Sequence, residues 1–341
     1  MKIVSFGELM LRLTPPGYYR FRQADSFTVT FGGAEANVAV SLANFGVNSA
    51  YVTKMPDNDI ALAARDKLRS FGVDTSGIVY GGERLGIYFV ERGASQRPSN
   101  VIYDRKNSAV AMAMPSDFDW DKLLDGADAF FYTGITTALC DGVADICRSA
   151  CETARKKGIK VICDLNYRKK LWTLDKACTV LSDMMSCTDI CIGNSADACA
   201  IFGISVPAEL YEKGNDLTYD GEKYVADELK KRFDLSYVAL TVRRTISANV
   251  NRFYALLTDK SGLCEFSKEY TIELVDRIGG GDAFSAGIVY SLIGKKSVKE
   301  SVEFAAAAGC LKQTTEGDFA VSSVAEIEAL ANGKSDGRVS R

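Results

Sequence analysis

Strand-like and helix-like patterns alternate along most of this chain, and this alternation restricts its possible folds more than any other feature. Short apolar runs predict strands at 3–7, 49–55, 127–134, 158–165, 188–193 and 237–242. Apolar residues at helical spacing predict helices over 34–45, 59–72, 141–157, 280–293 and 297–314, and from Asn194. Such alternation is typical of a mostly parallel sheet with helices on both faces. Ligands bind beyond the carboxyl ends of such strands, so residues after strand ends are the candidates for function.

Two segments depart from the alternation. Residues 8–33 and 84–105 carry alternating, aromatic-rich patterns that are typical of strands. They predict a small separate sheet, which would act as a lid over a site or as a contact between subunits. We expect residues 1–325 to form a single domain into which this sheet is inserted, and the polar tail 332–341 to be frayed.

The composition excludes several kinds of chemistry. The 341 residues include no histidine, which removes Ser-His-Asp and Cys-His catalysis and His-ligated zinc. A net charge of −3 gives no basic footprint for nucleic acid. We see no signal peptide and no apolar run long enough to span a bilayer, so we expect a cytoplasmic protein with no membrane partner. The ten cysteines form no CxxC pair and lie in apolar patterns, as expected of buried, reduced thiols.

The sharpest local signal is DRIGGGDAFSAG at 276–287, where three glycines precede an aspartate and a helix rich in small residues. Glycines at a loop–helix junction let backbone N–H groups converge on an anion, and the helix dipole adds positive character. The carboxylate of Asp282 would stand beside this anion hole and accept the proton of an attacking hydroxyl group. The alternative is a tight turn in which Asp282 only caps the helix. The chain contains no Walker motif GxxxxGK[ST].

A second signal is FGGAEANVAVSLANFG at 31–46, where paired glycines lead into a predicted helix. Gly32 and Gly33 would let a ligand approach the backbone closely. Asn37 lies one turn into the helix, where its amide can both donate to and accept from a hydroxyl group. The alternative is a plain strand–turn–helix connection with a buried asparagine that satisfies backbone groups.

Together these two signals, about 240 residues apart, resemble the two signature regions of the ribokinase-like (PfkB) carbohydrate kinases. The coarse organisation agrees over residues 1–325. The resemblance implies a three-layer α/β/α core with a mostly parallel central sheet, a small β-sheet lid, ATP as phosphoryl donor, and a sugar bound between lid and core. It also implies that Asp282 is the catalytic base and that the anion hole consists of Gly279, Gly280 and Gly281.

Within that family, further segments resemble the 2-keto-3-deoxygluconate kinases. These segments are GELMLRLTPP (7–16), YYRFRQADSF (18–27), IYFVERG (87–93), YDRKNSA (103–109), DLNYRKKLW (164–172) and DRIGGGDAF (276–284). By that resemblance, the sugar acid would contact Asp282 and six further residues. These six residues are Gly33, Asn37, Tyr88, Tyr103, Arg105 and Arg168.

The two arginines fit a sugar acid on chemical grounds. Arg105 and Arg168 each follow a predicted strand or turn, and a guanidinium fork binds a carboxylate in a bidentate way. A neutral sugar has less use for two arginines, whereas tyrosines offer a ring wall and a hydroxyl donor to either ligand. The alternatives are a surface ion pair with Asp104 or a neighbour for Arg105, and solvent exposure within YRKK for Arg168.

The resemblance also implies a nucleotide site. Its residues would be Asn194, Thr241, Arg243, Lys312, Gln313 and Asp318. The last three belong to KQTTEGDF (312–319), near which a monovalent cation such as K⁺ is also implied; the alternative is helix termination followed by a turn at Gly317.

Two segments depart from the family pattern on the nucleotide side. NSAD has Asp197 where the family has glutamate, so Asp197 would hold Mg²⁺ through water. VRRT lacks the family's glycine after the strand that ends near Thr241. Arg243 and Arg244 therefore either meet phosphates or mark altered nucleotide binding.

The sequence thus predicts ATP-dependent phosphorylation of the terminal hydroxyl of 2-keto-3-deoxygluconate, giving the 6-phosphate. One alternative is a kinase for another sugar or sugar acid, such as fructose. An alternative of another class is a non-catalytic sensor that binds sugar and nucleotide, which the two departures motivate. The aromatic and apolar lid strands predict a homodimer paired through the lid.

Overall fold

The computed structural model describes residues 1–212 and 216–334. Its strands are β1 Lys2–Phe6, β2 Met10–Thr14, β3 Thr28–Gly32, β4 Asn48–Met55, β5 Ile78–Tyr80, β6 Gly86–Glu91, β7 Asn100–Asp104, β8 Ala129–Thr133, β9 Lys160–Asp164, β10 Ile190–Gly193, β11 Tyr237–Thr245, β12 Val250–Asp259, β13 Cys264–Phe266 and β14 Tyr270–Glu273. Its helices are α1 Ala34–Asn44, α2 Asp59–Ser70, α3 Trp120–Leu123, α4 Gly134–Thr137, α5 Asp141–Lys156, α6 Leu174–Met185, α7 Ser195–Phe202, α8 Tyr219–Phe233, α9 Gly280–Ile293, α10 Val298–Lys312 and α11 Val324–Ala331.

Within the described residues, ten strands form one large sheet in the order β13-β12-β11-β10-β9-β8-β1-β4-β5, with β14 paired to β12. The neighbouring strands from β11 to β5 are parallel, whereas β12 runs antiparallel to β11. The predicted mostly parallel sheet is confirmed. The antiparallel edge formed by β12, β13 and β14 is a feature that the strand–helix alternation did not predict.

The side chains of each central strand pack into two different cores. In β8, Phe130 and Tyr132 belong to a core that includes residues of α5, α6 and α8. Ala129 and Phe131 belong to the opposite core, with residues of α1, α9 and α10. Successive strand residues point to opposite faces, so a continuous apolar run fills both cores. The two helix layers and the sheet form the predicted α/β/α core.

A small separate sheet, in the order β3-β2-β6-β7, comes from the two segments that departed from the alternation. Its central pair, β2 and β6, is parallel, and its outer pairs are antiparallel. In β2 the inward side chains of Met10, Arg12 and Thr14 are buried and the residues between them are half-buried. An arginine at a buried position of a strand requires a charged or polar partner.

Small residues fix the position of the glycine turn. A Cβ atom at Gly287 of α9 would lie 2.6 Å from the Cα of Ala305 in α10, so the two helices can approach this closely only at a glycine. Helix α9 begins at Gly280 and is buried along most of its length. The turn at its N-terminus is therefore held at the carboxyl edge of the sheet.

The folded chain extends past the domain boundary predicted at 325. Ile327 of α11 is buried in the core that contains α9 and α10. Lys334 donates its backbone N–H to the carbonyl of Ala329 at 2.8 Å, which holds the first part of the tail against α11. The remainder of the tail predicted to fray, 335–341, lies outside the described residues.

The ten cysteines are all free thiols, five of them buried and five half-buried. No described helix is both long enough and apolar enough to cross a bilayer.

Candidate active site

A cavity of about 820 Å³ opens at the carboxyl ends of β9, β10 and β11, between the large sheet and the small one. Residues after these strand ends line one side, and side chains of β2, β6 and the segment after β7 line the other. This is the edge at which a parallel sheet binds ligands. Among the site residues predicted from the sequence, all except Lys312 line this cavity.

The glycine turn forms the floor of the cavity at the N-terminus of α9. Gly279 has a φ of +86°, and a Cβ atom there would lie 2.1 Å from the carbonyl oxygen of Asp318, so the position requires glycine. A Cβ atom at Gly281 would meet nothing within 4 Å, because this residue faces the open cavity. The first N–H groups of a helix have no partners inside it, so this turn offers donors to an anion.

Asp282 lies in the first turn of α9 and is held from the opposite signature region. The side-chain amide of Asn37 donates to Oδ2 of Asp282 at 2.6 Å. Burial raises the pKa of Asp282 to about 7, and the negative charges of Asp164 and Asp318 act in the same direction against the Asn37 hydrogen bond and Arg168. A carboxylate with a pKa near 7 is suited to accept a proton at neutral pH.

Asp164, the last residue of β9, is a second carboxylate in the cavity and was not among the predicted site residues. Its Oδ2 accepts a hydrogen bond from Ser285 of α9 at 3.0 Å. Burial raises the pKa of Asp164 to about 7, against the effects of Ser285 and Arg168. Its position at the end of a predicted buried strand was the signal that would have found it.

Arg12 of β2 ties the small sheet to the loops around the glycine turn. Its guanidinium donates to Asp276 at 2.5 Å and to Asp318 at 2.6 Å, and all three side chains are almost fully buried. Tyr88 donates its hydroxyl to the same Asp318 at 2.5 Å. Asp318 and the Tyr88 hydroxyl, predicted as ligand contacts, are therefore engaged in a buried network, although both still border the cavity.

Arg105 is engaged by Glu8, which follows β1. Nε of Arg105 donates to Oε2 of Glu8 at 2.7 Å, and Nη2 contacts the same oxygen. Ser108 donates to the other oxygen of Glu8 at 2.5 Å. The proposed surface pair with Asp104 is wrong, because Arg105 is buried and Asp104 pairs with Arg84 at 2.7 Å.

Arg168 and Tyr103 remain open to a ligand. Arg168 is exposed, lines the cavity and donates to the carbonyl of Tyr167 at 3.1 Å, and its positive charge lowers the pKa of Asp164 and of Asp282. The ring of Tyr103 stacks on that of Tyr88 with centroids 5.9 Å apart, so the two tyrosines form a wall of the cavity.

The predicted nucleotide residues of β10 and β11 lie on the far side of the cavity. The Asn194 side chain caps α7 by accepting from the N–H of Asp197 at 2.8 Å, and its amide donates to the Asp197 carboxylate at 2.8 Å. Burial raises the pKa of Asp197. Thr241 donates to the carbonyl of Gly193 at 3.2 Å, and Arg243 is exposed along the same wall.

The C-terminal predicted residues support the glycine turn from behind. Gln313 donates to the carbonyl of Gly309 at 3.0 Å. Its side chain packs against Gly280, where an added Cβ atom would lie 2.7 Å from Cγ of Gln313. Lys312 is fully buried, with its ammonium 3.4 Å from the carbonyl of Asp276 and 3.3 Å from that of Thr315. Burial lowers the pKa of Lys312. Lys312 thus lies beneath the turn rather than in the cavity wall.

Four residues of this site were not among those that we singled out from the sequence: Glu8, Arg12, Asp164 and Arg277. Glu8 and Asp164 are polar residues at or just after strand ends, which is a readable signal. Arg12 is a charged residue at an inward position of an alternating strand, and Arg277 lies within the glycine motif itself.

A family model for pfkB carbohydrate kinases matches residues 1–226 and 254–323. The chain belongs to this family. The predicted resemblance is thereby confirmed.

This pfkB kinase is 31% identical over 333 residues to a 2-dehydro-3-deoxygalactonokinase of Haloferax volcanii, with 97% of each chain covered. It is 28% identical to fructokinase-1 of Oryza sativa, with 96% of each covered. The crystal structure of a 2-dehydro-3-deoxygluconokinase of Thermotoga maritima matches with a TM-score of 0.94 at 45% identity, covering 98% of both chains.

Proposed function

We propose that this pfkB kinase transfers the γ-phosphoryl group of ATP to the terminal hydroxyl of 2-keto-3-deoxygluconate and forms the 6-phosphate. The observation that carries the proposal is the position of Asp282 beside the glycine turn, in one cavity with the exposed guanidinium of Arg168. The Thermotoga maritima relative, at 45% identity over nearly the whole chain, carries the name of this activity.

In the proposed reaction, Asp282 accepts the proton of the substrate's terminal hydroxyl as its oxygen attacks the γ-phosphorus. A new oxygen–phosphorus bond forms, and the bond from the γ-phosphorus to the bridging oxygen breaks, so that ADP leaves with those electrons. The N–H groups of Gly280 and Gly281 would stabilise the charge on the moving group. Asn37 holds the Asp282 carboxylate in place.

Arg168 is the side chain best suited to the carboxylate of the sugar acid. It is exposed in the cavity, whereas Arg105 is already bound to Glu8 through two nitrogens. Arg105, Tyr88 and Tyr103 would then shape the pocket, and Gly33 and Asn37 would meet the sugar hydroxyls. We retain all six as proposed substrate residues, with Arg168 making the charged contact.

Magnesium is compatible with the residues present only through water. Among the described residues no cluster of three carboxylate or thiol ligands could hold a metal ion. Mg²⁺ keeps several waters and binds with one or two carboxylates plus substrate phosphates. Asp197, held by Asn194, would fill that role, and the bound ion would neutralise charge on the phosphates.

A monovalent cation does not fit the position near Lys312 that the resemblance implied. Backbone carbonyl oxygens are ligands that K⁺ takes in proteins. Here the carbonyls of Asp276 and Thr315 are already in contact with the ammonium of Lys312. We therefore assign K⁺ no step in the reaction.

The proposal is tested by incubating the purified full chain with ATP, Mg²⁺ and a panel of sugars and sugar acids, with ADP and the phosphorylated product both measured. We expect the highest kcat/KM for 2-keto-3-deoxygluconate. Its C4 epimer is a second candidate, because the Haloferax volcanii relative is named for it. Faster turnover of fructose or ribose would overturn the acceptor assignment. Calorimetric binding of both ligands without ADP formation would instead support the sensor.

Replacing Arg168 by Gln is expected to raise KM for the sugar acid about ten- to a hundredfold, since a hydrogen bond to a charged group is worth about 1.5–3 kcal/mol. KM for ATP should change little. Lys169→Gln is the matched control, because Lys169 is the exposed neighbour and does not line the cavity. Equal effects of the two substitutions would contradict a contact between Arg168 and the carboxylate.

Replacing Asp164 by Asn is expected to move the acid limb of the pH–kcat profile to lower pH. The negative charge of Asp164 raises the pKa of Asp282, and the base acts only when ionised, so removing that charge extends activity downward in pH. ATP ionises in the same way in the assays of the wild type and of Asp164→Asn, so its ionisation cannot account for a difference between the two profiles. Glu222→Gln serves as the control, because Glu222 lines the cavity but is not among the groups that shift the pKa of Asp282. A limb that stays at the wild-type pH in Asp164→Asn would refute the coupling.

We further propose a homodimer paired through the outer face of the small sheet. Phe27, Val29 and Ile102 are exposed there at 37%, 58% and 48%, which is unusual for clustered apolar side chains on a sheet. Light scattering should give twice the mass of one chain, and Val29→Asp should reduce it to a single chain. The cytoplasmic location also stays a prediction.

A further inference from the structure

Arg277 is a cation in the cavity wall that forms no ion pair with any residue of the described ranges 1–212 and 216–334. It stands two residues before Gly279 and lines the cavity. Its Nε and Nη2 atoms are buried and have no hydrogen-bond partner among the described residues. Its neighbour Asp276 acts on it only through its charge, because the Asp276 carboxylate accepts from Arg12 at 2.5 Å and from the N–H groups of Ile278 and Gly317 at 3.1 and 3.2 Å.

A second guanidinium makes this arrangement more costly. Arg243, near the end of β11, lines the same cavity. Burial and the positive charge of Arg243 lower the pKa of Arg277, against the effect of Asp276. A buried donor without a partner is destabilising, and the repulsion of a second positive charge adds to that cost. Other arginines nearby are paired: Arg12 with two carboxylates, and Arg105 with Glu8. Unpaired donors on a residue that lines a cavity are best explained by a ligand that completes them.

We propose that Arg277 and Arg243 together clamp the β- and γ-phosphates of the nucleotide and hold the γ-phosphoryl group against the glycine turn. This inference rests on the proposed function and assigns a phosphate-binding role to Arg277. The two arginines approach from separate elements, the loop before α9 and the strand β11, so a chain of phosphate oxygens can bridge them.

A triphosphate satisfies this pair better than the sugar acid does. One carboxylate carries a single charge and already has Arg168 available in the loop after β9. The triphosphate carries several charges and must reach Gly280 and Gly281 for its γ-phosphorus to meet the substrate hydroxyl. Arg277 is the cation on that same loop, and Arg243 follows Thr241, a proposed nucleotide contact, by two residues on one strand face.

The test is calorimetric titration of the full-length protein with Mg²⁺ and a series of probes that differ in phosphate number: adenosine, AMP, ADP, β,γ-methylene-ATP and inorganic tripolyphosphate. Arg277→Gln should weaken β,γ-methylene-ATP and tripolyphosphate about ten- to a hundredfold, ADP less, and adenosine less than about twofold. Arg243→Gln should give the same ranking. Affinity for 2-keto-3-deoxygluconate should be unchanged in both variants. Arg277→Lys, which keeps the charge and loses the fork, should fall between wild type and Arg277→Gln.

Arg252→Gln is the matched control, because Arg252 is an exposed arginine on β12 that does not line the cavity. Equal losses for adenosine and β,γ-methylene-ATP would overturn the proposal, as would a loss confined to the sugar acid. If Arg277→Gln does not fold, Arg243→Gln and Arg277→Lys decide by the same ranking. These titrations need no turnover, so failure of the wild-type protein to phosphorylate the sugar acid would count against the proposed function alone.

Discussion

An Asp282→Asn variant should lose about 10²–10⁴-fold in kcat while it binds ATP and the sugar acid with nearly wild-type affinity. The amide has the size of the carboxylate and can keep the contact with Asn37 through its oxygen, but it cannot accept a proton. Single-turnover measurements with saturating ligands, together with calorimetric affinities, separate loss of the base from loss of binding. Turnover at the wild-type rate would remove Asp282 from the mechanism.

The same substitution should increase stability above pH 7. The pKa of Asp282 is about 7 in the folded protein, compared with 3.8 for an ordinary aspartate, so the folded state holds this proton more tightly than the unfolded state does. The contribution of this group to the free energy of unfolding is therefore complete below about pH 4 and is lost as the pH rises to about 7. Asn carries no charge to bury, so the variant should unfold at a higher temperature than wild type at pH 8 and at a similar temperature at pH 4. Asp145→Asn, at an exposed position of α5, should show no such difference between the two pH values.

Arg12→Met should destabilise the protein by about 3–5 kcal/mol, the usual cost of breaking a buried ion pair by removing one partner. The thioether fills much of the space, but the carboxylates of Asp276 and Asp318 would remain buried without their cation. Denaturant titration measures the loss. Activity should fall as well, because both carboxylates border the glycine turn.

Arg84→Met is the control for Arg12→Met, since Arg84 also belongs to the small-sheet region and pairs with Asp104 at 2.7 Å, but on the surface. An exposed pair of this kind contributes about 0–1 kcal/mol. Adding Asp276→Asn and Asp318→Asn to Arg12→Met should recover part of the lost stability, because the buried charges are then gone. A loss below about 1 kcal/mol in Arg12→Met would show that water or other groups replace the guanidinium.

Much of this architecture could be predicted because local patterns agree with the tertiary structure. The helix predicted over 280–293 is found at Gly280–Ile293. The strand-like patterns of 8–33 and 84–105 correctly predicted the small sheet. The glycine turn and Asp282 were predictable for the same reason. Glycines, an acid and a helix start are adjacent in sequence, so their chemistry can be recognised before the chain is folded.

The partners of charged residues could not be predicted in this way. Arg105 was recognised as a site residue, but its pairing with Glu8 depends on a contact across 97 positions of sequence. Lys312 was placed with the nucleotide because KQTTEGDF resembles a nucleotide-binding segment of the family, yet its ammonium lies beneath Gly279. Side-chain direction at a helix end is set by packing, and neither periodicity nor motif spacing reports it.

The buried ion pairs of Arg12 also restrict when the N-terminal strands can finish folding during synthesis of the chain. Its two counter-charges follow it by 264 and 306 residues, and ribosomes add about 5–20 residues per second, so Arg12 waits roughly 15–60 s for both of them. During that interval the nascent hairpin carries a cation that has no internal neutraliser, and water must solvate it. The N-terminal strands can therefore dock finally only after residue 318 has been synthesised, so the burial of β2 depends on a segment made about 300 residues later.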